Sequence, residues 1–578
     1  MKRRREMEDD ILVDATDRIS QVPEFIIHHI MSFLKSPKER VRMSVLSKNW
    51  FVITASFPIL DFDIEKFERV MKFYSSYPSK SDIVRDKFFK YVEYTTYRFC
   101  QQNVSAHTFN LVTELLDSTE ADLVDRCLGL ILKKDVKVLN IDTFFRPRIW
   151  TPAIPEYHLP NQLLSASSLT SLKIRACEFP LSLMVDQVRF NSLKLLRLEY
   201  LHLDDEAIKY LTCNCPLLEE LVVKFCNGFK RFCVFGLQNL QKVEIDCLVE
   251  IIDIQAPNLR DVCVTNRGSS EAPSINLASC KKLKNLSYYA SSPLKSEVFS
   301  GFLSNIPFIE NLTLSLPDNC KYLRLLSSSL RTLALLTESD MEEIDIATPN
   351  LLLFEYHMHS NLPALVVRDS LQPRARLECY PRDEVDSLWF QKLRQLLDTK
   401  TGFEVLKLQI RVDFSGVEEL KMIQSPPNEL EHIELKLMNI YKLSDYETVL
   451  DAVLWCCCPR SLSLKSLFHI IYYSEEWNQV VKYTYEKLLQ QEDDGQINIR
   501  MVLCSSKAEK HFSDLNSLLT ALPCVEQEHV ITFIKEEEVE CLTKVGLLNK
   551  KEKRKSDQFE YVHTMPFKGK KDETSFCG

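Results

Sequence analysis

Apolar residues recur along most of the chain in the spacing L-x-x-L-x-L, in which other large apolar residues often replace leucine. In most runs the last three positions alternate apolar, polar and apolar, which predicts a short strand with one buried face. From position 169 to position 351, the first residues of successive runs lie 19 to 26 residues apart. The runs begin at Val136, Leu169, Leu193, Leu218, Leu240, Leu259, Leu283, Ile309, Leu330, Leu351, Phe403 and Leu430.

A repeat of this length predicts a solenoid, because one unit cannot bury its own leucines and must stack on its neighbours. Each run would supply one parallel strand to the concave face, and this spacing at this period is the leucine-rich-repeat (LRR) signature. The step of 52 residues from Leu351 to Phe403 predicts one degenerate repeat between them. The shorter steps leave no room for crossover helices of about ten or more residues, which argues against an unrelated α/β enzyme.

The stretch from Asp17 to Phe57 has a different period and predicts three short helices. Ser36 to Glu39 has the form of a capping box and predicts the start of the second helix, and the third would begin near Ser47. So small a unit has too little interior for all its apolar side chains, and the surplus predicts a partner. Apolar residues four apart share one face of the first helix, at Val22, Ile26, Ile30 and Leu34.

The order of residues in this stretch resembles an F-box, in the version found in plant LRR proteins. It reads I-S-x-[VL]-P-E-x-I-I-x-x-I-x-S-F-L and then K-E-x-V-R-x-S-V-L-S-K-x-W, with mild departures at Val22, Phe25 and Asn49. The resemblance implies docking on the Skp-type adaptor of SCF ubiquitin ligases; the alternative is a three-helix core fragment without a docking role. We expect adaptor contacts from Val22, Pro23, Ile26, Ile27, Ile30 and Leu34, and packing between the helices from Val41, Val45 and Trp50.

These patterns divide the chain into six parts and predict an α/β protein. Within the linker that precedes the solenoid, residues Val92–Phe99 are rich in β-forming side chains, and this composition predicts a strand. Near the end, patterns predict helices at 475–491 and 513–522 and strands at 497–503 and 530–534. The parts are a charged tail (1–16), a three-helix F-box (17–62), a helical and β linker (63–130), an LRR solenoid (131–460), an α+β cap (461–545) and a polar basic tail (546–578).

Composition and charge fit a globular protein. The chain has 578 residues, of which 45% are hydrophobic, and its net charge of −9 does not favour generic nucleic-acid binding. It has no run of eighteen apolar residues and no apolar signal core at its N-terminus, so we expect no membrane association. Lys2–Arg5 and Lys550–Lys555 are either nuclear localisation signals or solvated ends. We therefore expect a protein of the nucleus, the cytoplasm or both.

Candidate chemistry is sparse. The 19 cysteines are scattered, and in a reducing compartment we expect buried thiols rather than disulfides. Cys177, Cys226 and Cys247 fall near the place where LRR strands are followed by Asn or Cys, and we expect a structural role there. Cys213-Asn-Cys215 and Cys456–Cys458 match metal sites only loosely. Because the sequence contains no GxSxG, HExxH, P-loop or GxGxxG motif, we expect neither an enzyme nor a bound cofactor or metal.

The resemblance implies the substrate-recognition subunit of an SCF-type E3 ligase. The F-box would hold the adaptor and, through it, the cullin and RING subunits, while the solenoid would hold an unknown protein substrate. Two alternatives stay open: an LRR scaffold that acts outside a ligase, and an enzyme with a cryptic site. Exposed strand positions that could contact a partner are Lys173, Arg175, Lys194, Arg197, Glu199, Lys224, Glu244, Asp246 and Arg260.

Overall fold

The structure of the protein is a computed structural model. It describes residues 22–34, 37–71, 78–143, 157–179, 189–266, 273–290, 306–316, 320–337, 341–358, 362–368, 374–381, 385–398, 402–411, 427–438, 443–465, 474–491, 498–505, 508–522 and 529–536. The predicted tails and the predicted cap at Ser36 lie outside these residues.

Three short helices open the described chain: α1 (Glu24–Ser32), α2 (Pro37–Ser44) and α3 (Lys48–Ala55). α3 begins where the sequence predicts, because the Ser47 hydroxyl accepts a hydrogen bond of 3.2 Å from the backbone N–H of Trp50. The helices share a small core of their own, separate from that of the solenoid. Its buried members are Ile27, Met31, Trp50, Ile53 and Phe57.

The solenoid begins directly after these helices, earlier than predicted. Strand β1 (Ile59–Asp63) pairs in parallel with β2 (Thr108–Val112), and β2 pairs in parallel with β3 (Val138–Asp142). All three strands bury alternate residues, as the later repeats do. The region 63–130 therefore forms the first repeats of the solenoid and is not a linker. Its return segments are helical: α4 (Ile64–Met71), α5 (Pro78–Cys100), α6 (Ser118–Ile131) and a 3₁₀ turn (Leu132–Lys134).

The strand predicted at Val92–Phe99 is wrong, because these residues lie within α5. Phe88, Val92 and Phe99 are buried, and their separations of four and seven residues place them on one helical face. Tyr94 and Tyr97 lie on the exposed side. The burial pattern has the helical period, although the local composition favours a strand.

Each of the twelve predicted runs forms one strand of a single parallel sheet, and the pairing register shifts between Ala375 and Arg376, where the Phe403 run joins the sheet. The degenerate repeat expected between Leu351 and Phe403 is also present, as the strand Arg374–Cys379. The successive strands of the sheet after β3 are β5 (Ser171–Arg175), β7 (Leu195–Glu199), β8 (Glu220–Lys224), β10 (Lys242–Asp246), β12 (Asp261–Asn266), β14 (Asn285–Ala290), β15 (Asn311–Leu316), β17 (Thr332–Thr337), β19 (Leu353–Met358), β21 (Arg374–Cys379), β22 (Phe403–Arg411), β23 (Asn428–Met438) and β24 (Cys457–Lys465).

The return segments of the middle repeats are strands rather than long helices. They form three small parallel sheets behind the main one, and a single core runs between the layers. One short helix, α7 (Ala207–Cys213), interrupts them. The strands are β4 (Tyr157–His158) with β6 (Cys177–Glu178); β9 (Arg231–Phe235) with β11 (Ile251–Gln255) and β13 (Ser274–Asn276); and β16 (Tyr322–Leu326) with β18 (Glu343–Ala347) and β20 (Ala364–Arg368).

The C-terminal region extends the main sheet with antiparallel strands. β24 pairs with β27 (His529–Glu536), which pairs with β25 (Asn498–Ser505), and β25 pairs with β26 (Glu509–Phe512). The predicted cap elements are confirmed, but the predicted boundary at residue 460 falls inside β24. No described helix is long and apolar enough to cross a membrane. The helices of this region are α8 (Ser387–Leu397), α9 (Leu443–Cys456), α10 (Ser474–Gln490) and α11 (Leu515–Ala521).

Candidate docking surfaces

The three N-terminal helices expose an unusual amount of apolar surface. Of the 22 large apolar side chains that are exposed in the described residues, nine lie between Phe25 and Val52. Concentrated apolar exposure of this kind marks interaction sites on soluble proteins. We call these nine residues the N-terminal apolar surface. Its members are Phe25, Ile26, Ile30, Phe33, Val41, Val45, Leu46, Phe51 and Val52.

The predicted adaptor-contact residues divide between this surface and the interior. Ile26 and Ile30 are 37% and 45% exposed and are available to a partner. Ile27 has no exposed surface and lies in the core of the three helices, so it supports the helix from behind instead of facing outward. The remaining three predicted contact residues are at least partly exposed: Val22, Pro23 and Leu34.

Two of the three residues predicted to pack the helices together face solvent instead. Val41 is 51% exposed and Val45 is 78% exposed, whereas Trp50 is buried as expected. The inward residue of α2 is Met43, which packs on the helical core. Val41 lies two positions before Met43, about 200° around the helix and on its opposite side. Val45 directly follows the last residue of α2. The prediction for Val41 and Val45 is therefore wrong, and both belong to the N-terminal apolar surface.

Sequence reasoning also missed several members of this surface. Leu46 and Val52 are 67% and 55% exposed and do not lie at the spacing that defined the predicted face. Phe33 is 69% exposed and lies beside that face, but it was not among the predicted contact residues. Phe25 was recognisable as an unexpected aromatic residue, and it is 73% exposed. The available signal was composition: three short helices hold more apolar residues than their small core can bury.

Polar contacts hold the helices together and to the first repeat. Nε2 of His28 lies 3.0 Å from the Ile53 carbonyl oxygen, and the Ser56 hydroxyl donates a 3.0 Å bond to the same oxygen. The Arg98 guanidinium of α5 lies 3.5 Å from the centre of the Phe51 ring and donates to the Phe51 carbonyl. Partial burial lowers the pKa of Arg98. α3 is thereby fixed against the solenoid, which sets the direction in which the apolar surface faces.

The outer face of the main sheet carries linked charges at its N-terminal end. The Arg175 guanidinium lies 3.3 Å from the Asp142 carboxylate and 3.5 Å from that of Glu199. Lys224 is paired with Glu244 at 2.5 Å. These charges neutralise one another across neighbouring strands, so they offer a partner specificity more than affinity.

Two of the predicted strand positions are not on this face, and a third is covered there. Asp246 pairs with Lys224 and shares its side of the sheet, but it is only 7% exposed. Lys194 and Arg260 directly precede β7 and β12 and lie at the edge of the sheet. The repeat period gives the strand but not its first residue, which is why these positions were misplaced. The other predicted positions lie on the described strands facing outward: Lys173, Arg175, Arg197, Glu199, Lys224 and Glu244.

A second charged sector covers β19 to β22. The Glu378 carboxylate lies 2.9 Å from Nδ1 of His357 and 3.0 Å from Nζ of Lys407, and it accepts a 2.8 Å bond from the Tyr380 hydroxyl. Burial raises the pKa of Glu378, but the hydrogen bonds and charges of His357 and Lys407 outweigh it and hold that pKa well below its usual range. Burial lowers the pKa of Lys407, but the hydrogen bond and the charge of Glu378 raise it by a larger amount. The pKa of Lys407 therefore lies above its usual value.

The strands between the two sectors are neutral at the centre of their outer face, although Asp261 begins β12 with a carboxylate on that face. At the central outward positions of β12, β14, β15 and β17 the side chains are small, hydroxylated or apolar, and none is charged. The outer face thus has a charged sector, a neutral sector and a second charged sector. The neutral positions are Cys263, Thr265, Ser287, Tyr289, Thr313, Ser315, Ala334 and Leu336.

The cysteines near the strand ends are buried and hydrogen-bonded, as expected of structural thiols. The Cys226 thiol donates to the Lys224 carbonyl at 3.4 Å, and the Cys247 thiol donates to that of Val223 at 3.5 Å. Burial raises the pKa of Cys215 to about 12, which disfavours the reactive thiolate. In the described part of the chain, no group of three or more His, Cys, Asp or Glu side chains could hold a metal ion.

Comparisons with known proteins agree with the repeat architecture. A family model described as the LRR repeats of FBD-associated F-box protein At5g56370 matches residues 124–299. The chain is 26% identical to F-box/LRR-repeat protein At4g14103 of Arabidopsis thaliana over 276 residues, which is 46% of this chain and 67% of that protein. It is 27% identical to F-box/LRR-repeat protein At3g59200 of the same plant over 46% of this chain and 49% of that protein. A match to putative F-box/FBD/LRR-repeat protein At5g62970, also from Arabidopsis thaliana, has 24% identity and covers 57% of this chain and 70% of that protein. The chain thus spans about half to two thirds of the length of the first two relatives.

Proposed function

We propose that this chain, a plant F-box/LRR-repeat protein, is the substrate-recognition subunit of an SCF-type E3 ubiquitin ligase. The N-terminal apolar surface would dock on a Skp-type adaptor, and the solenoid would bind the protein to be ubiquitinated. The observation that carries the proposal is the set of nine exposed apolar side chains on three helices and on the turns that follow α1 and α2, at one end of the solenoid. Burial of these side chains against a partner would stabilise the complex by about 25 cal/mol per Å² of apolar area removed from water.

The mechanism would be positioning rather than catalysis. The adaptor would connect the chain to cullin and RING subunits, and a separate E2 enzyme would supply the ubiquitin chemistry. This chain's part is to hold the two bound proteins at a fixed separation. The contact between Arg98 and Phe51 and the direct passage from α3 into β1 support that role, because they tie the docking helices to the first repeat.

The central residue of the proposed adaptor contact is Ile30. It is 45% exposed, and Ile26 lies one turn before it on α1. Replacing Ile30 by aspartate would place a charge where an apolar contact forms, at a cost of roughly 2 kcal/mol or more. We expect Ile30→Asp to weaken adaptor binding at least ~30-fold, measured by co-purification and titration calorimetry with a purified Skp-type adaptor.

The matched control is Leu248→Asp, which changes a leucine that is 63% exposed on the solenoid. It should bind the adaptor like the wild type. Equal binding by wild type and Ile30→Asp would contradict the docking role. Failure to recover any adaptor or cullin from cells with the wild-type chain would favour a scaffold that acts outside a ligase.

Localisation belongs to the same proposal. A ligase subunit of this type would act in the nucleus, the cytoplasm or both, and two basic clusters, Lys2–Arg5 and Lys550–Lys555, are candidates for nuclear targeting. Both lie outside the described residues. A fluorescent fusion in which each cluster is replaced by alanines, singly and together, tests whether either directs the chain to the nucleus.

A further inference from the structure

A groove with a volume of about 1080 Å³ lies at the edge of the main sheet where five successive strands begin. Its central row consists of the residues that directly precede β12, β14, β15, β17 and β19, one from each repeat. We call this site the basic edge groove. The row is Arg260, Lys284, Glu310, Arg331 and Leu352.

The backbone of this row is rigidly fixed. The N–H of Lys284 donates to the Arg260 carbonyl at 3.0 Å, and that of Glu310 donates to the Lys284 carbonyl at 2.9 Å. The N–H groups of Arg331 and Leu352 continue the series at 2.7 and 2.8 Å. Since neighbouring strands lie about 4.8 Å apart, the five residues span roughly 19 Å. The groove is therefore preformed, and binding would order little of the protein itself.

The groove has a charge opposite to that of the whole chain. Five of its lining side chains are cationic, against the single carboxylate of Glu310, whereas the chain as a whole carries −9. Lys284 pairs with Glu310 at 2.8 Å. Arg260 and Arg331 form no salt bridge with any residue in the described ranges, although the charge of Arg331 helps Lys284 to lower the pKa of Glu310. Both guanidinium groups can therefore face a ligand. The five cations are Arg260, Lys281, Lys282, Lys284 and Arg331.

Two large apolar side chains lie in the same groove. Phe308 is 59% exposed and Leu352 is 62% exposed, and both line it. A small polyanion would gain nothing from these side chains, whereas a protein segment could bury its own apolar residue against them. Cationic and apolar residues side by side thus favour a peptide ligand over an isolated anion.

We propose that the basic edge groove binds an extended acidic segment of a partner protein, with an aliphatic or aromatic residue beside its carboxylates. At about 3.3 Å per residue, a segment of roughly six residues would span the row. Its carboxylates would face Arg260 and Arg331, and its apolar residue would lie against Phe308 and Leu352. The groove thereby specifies which kind of segment the solenoid would recognise in its target. The role of the groove as a substrate site rests on the proposed ligase function, whereas peptide binding to the groove does not.

The test uses the full chain and short fluorescein-labelled peptides rich in glutamate, each with one leucine at a different position, together with matching peptides that carry glutamine instead of glutamate. We expect the glutamate peptides to bind and to dissociate as salt is raised, measured by fluorescence anisotropy. The double variant Arg260→Glu/Arg331→Glu should weaken binding at least ~30-fold, because two attractions become repulsions. Phe308→Ala should weaken it roughly fivefold.

The matched control is Lys137→Glu/Lys510→Glu, which changes the net charge by the same amount with two exposed lysines outside the groove. Lys137 directly precedes β3 and so occupies the same position in another repeat. Equal binding by the two double variants, no salt-sensitive binding to any glutamate peptide, or unchanged binding by Phe308→Ala would each overturn the proposal. Thermal unfolding verifies that every variant is folded.

Adaptor binding by the same variants separates this inference from the proposed function. Arg260→Glu/Arg331→Glu should bind a Skp-type adaptor like the wild type, because the groove lies several repeats away from the N-terminal apolar surface. If the wild type binds peptide but no adaptor, the ligase role fails and the groove stands. If it binds adaptor but no peptide, the reverse holds.

Discussion

At the scale of single residues, Glu378 shows how charge is held on the outer face of the sheet. It is the shared partner of His357, Lys407 and Tyr380, which come from three neighbouring segments. These groups keep the pKa of Glu378 well below its usual range despite burial, which by itself raises that pKa. The carboxylate therefore stays ionised in the folded protein at pH values where it would be protonated in the unfolded chain.

This shift predicts a pH-dependent contribution to stability. Since the pKa of Glu378 is lower in the folded state, the unfolded state binds more protons as the pH falls. The stabilisation is fully present above an unfolded pKa of about 4.3 and is lost as the pH falls below it. We expect the Tm of the wild type to fall more steeply below about pH 5 than that of Glu378→Gln. Glu509→Gln, at an exposed carboxylate that pairs only loosely with His511 at 3.3 Å, should follow the wild-type slope.

At the scale of elements, strands were predictable from sequence and the first long helix was not. A strand of this solenoid needs only a five-residue alternation that recurs every 19 to 26 residues, and most runs carry both signals. α5 has no such repetition, and Val92, Thr95 and Thr96 gave it a local preference for strand. Burial decided the outcome, because Phe88, Val92 and Phe99 reach the core together only in a helix.

A strand and a helix at Val92–Phe99 predict different effects of mutation at neighbouring positions. In a strand, residues 94 and 96 would point to the same side, whereas in α5 Tyr94 is 59% exposed and Thr96 has no exposed surface. We expect Thr96→Glu to lower the free energy of unfolding by ~3 kcal/mol or more, since it buries an unpaired charge. Tyr94→Glu should cost no more than ~0.5 kcal/mol. Similar losses in thermal unfolding for both variants would contradict the helix.

The candidate sites show the same division between repeated and unrepeated signals. The outward strand positions from Lys173 to Glu244 were correct wherever the residue lay inside a strand. The position before each strand was not recognised as a separate row, so Arg260 was assigned to the sheet face instead of to the basic edge groove. On the N-terminal helices the spacing identified Ile26 and Ile30 but gave the wrong side for Ile27, because a helix face alone does not show which side the neighbouring helices cover.

At the scale of the whole molecule, the two proposed sites are far enough apart to be occupied together. Seven strand-to-strand steps separate β1, next to the docking helices, from β12, where the basic edge groove begins. At about 4.8 Å per step this is roughly 34 Å along the sheet. A continuous parallel sheet between the sites acts as a spacer, which fits a protein that holds two partners without joining in their chemistry.

The antiparallel end of the sheet makes a last prediction about the integrity of this spacer. β24 is the final parallel strand, and β27 covers its outer edge from Ser461 to Lys465. A chain that ends after Lys465 would present that edge unpaired, together with core residues of α9 that α10 no longer covers, among them Tyr446, which hydrogen-bonds Thr484. We expect this truncated chain to form soluble oligomers or to aggregate, measured by size-exclusion chromatography with light scattering.

A chain that begins at residue 58 is the control, because it removes exposed apolar surface and leaves the pairing of β1 with β2 unchanged; it should stay monomeric. A monomeric, cooperatively unfolding product of the C-terminal truncation would show that the antiparallel strands do not protect the end of the solenoid.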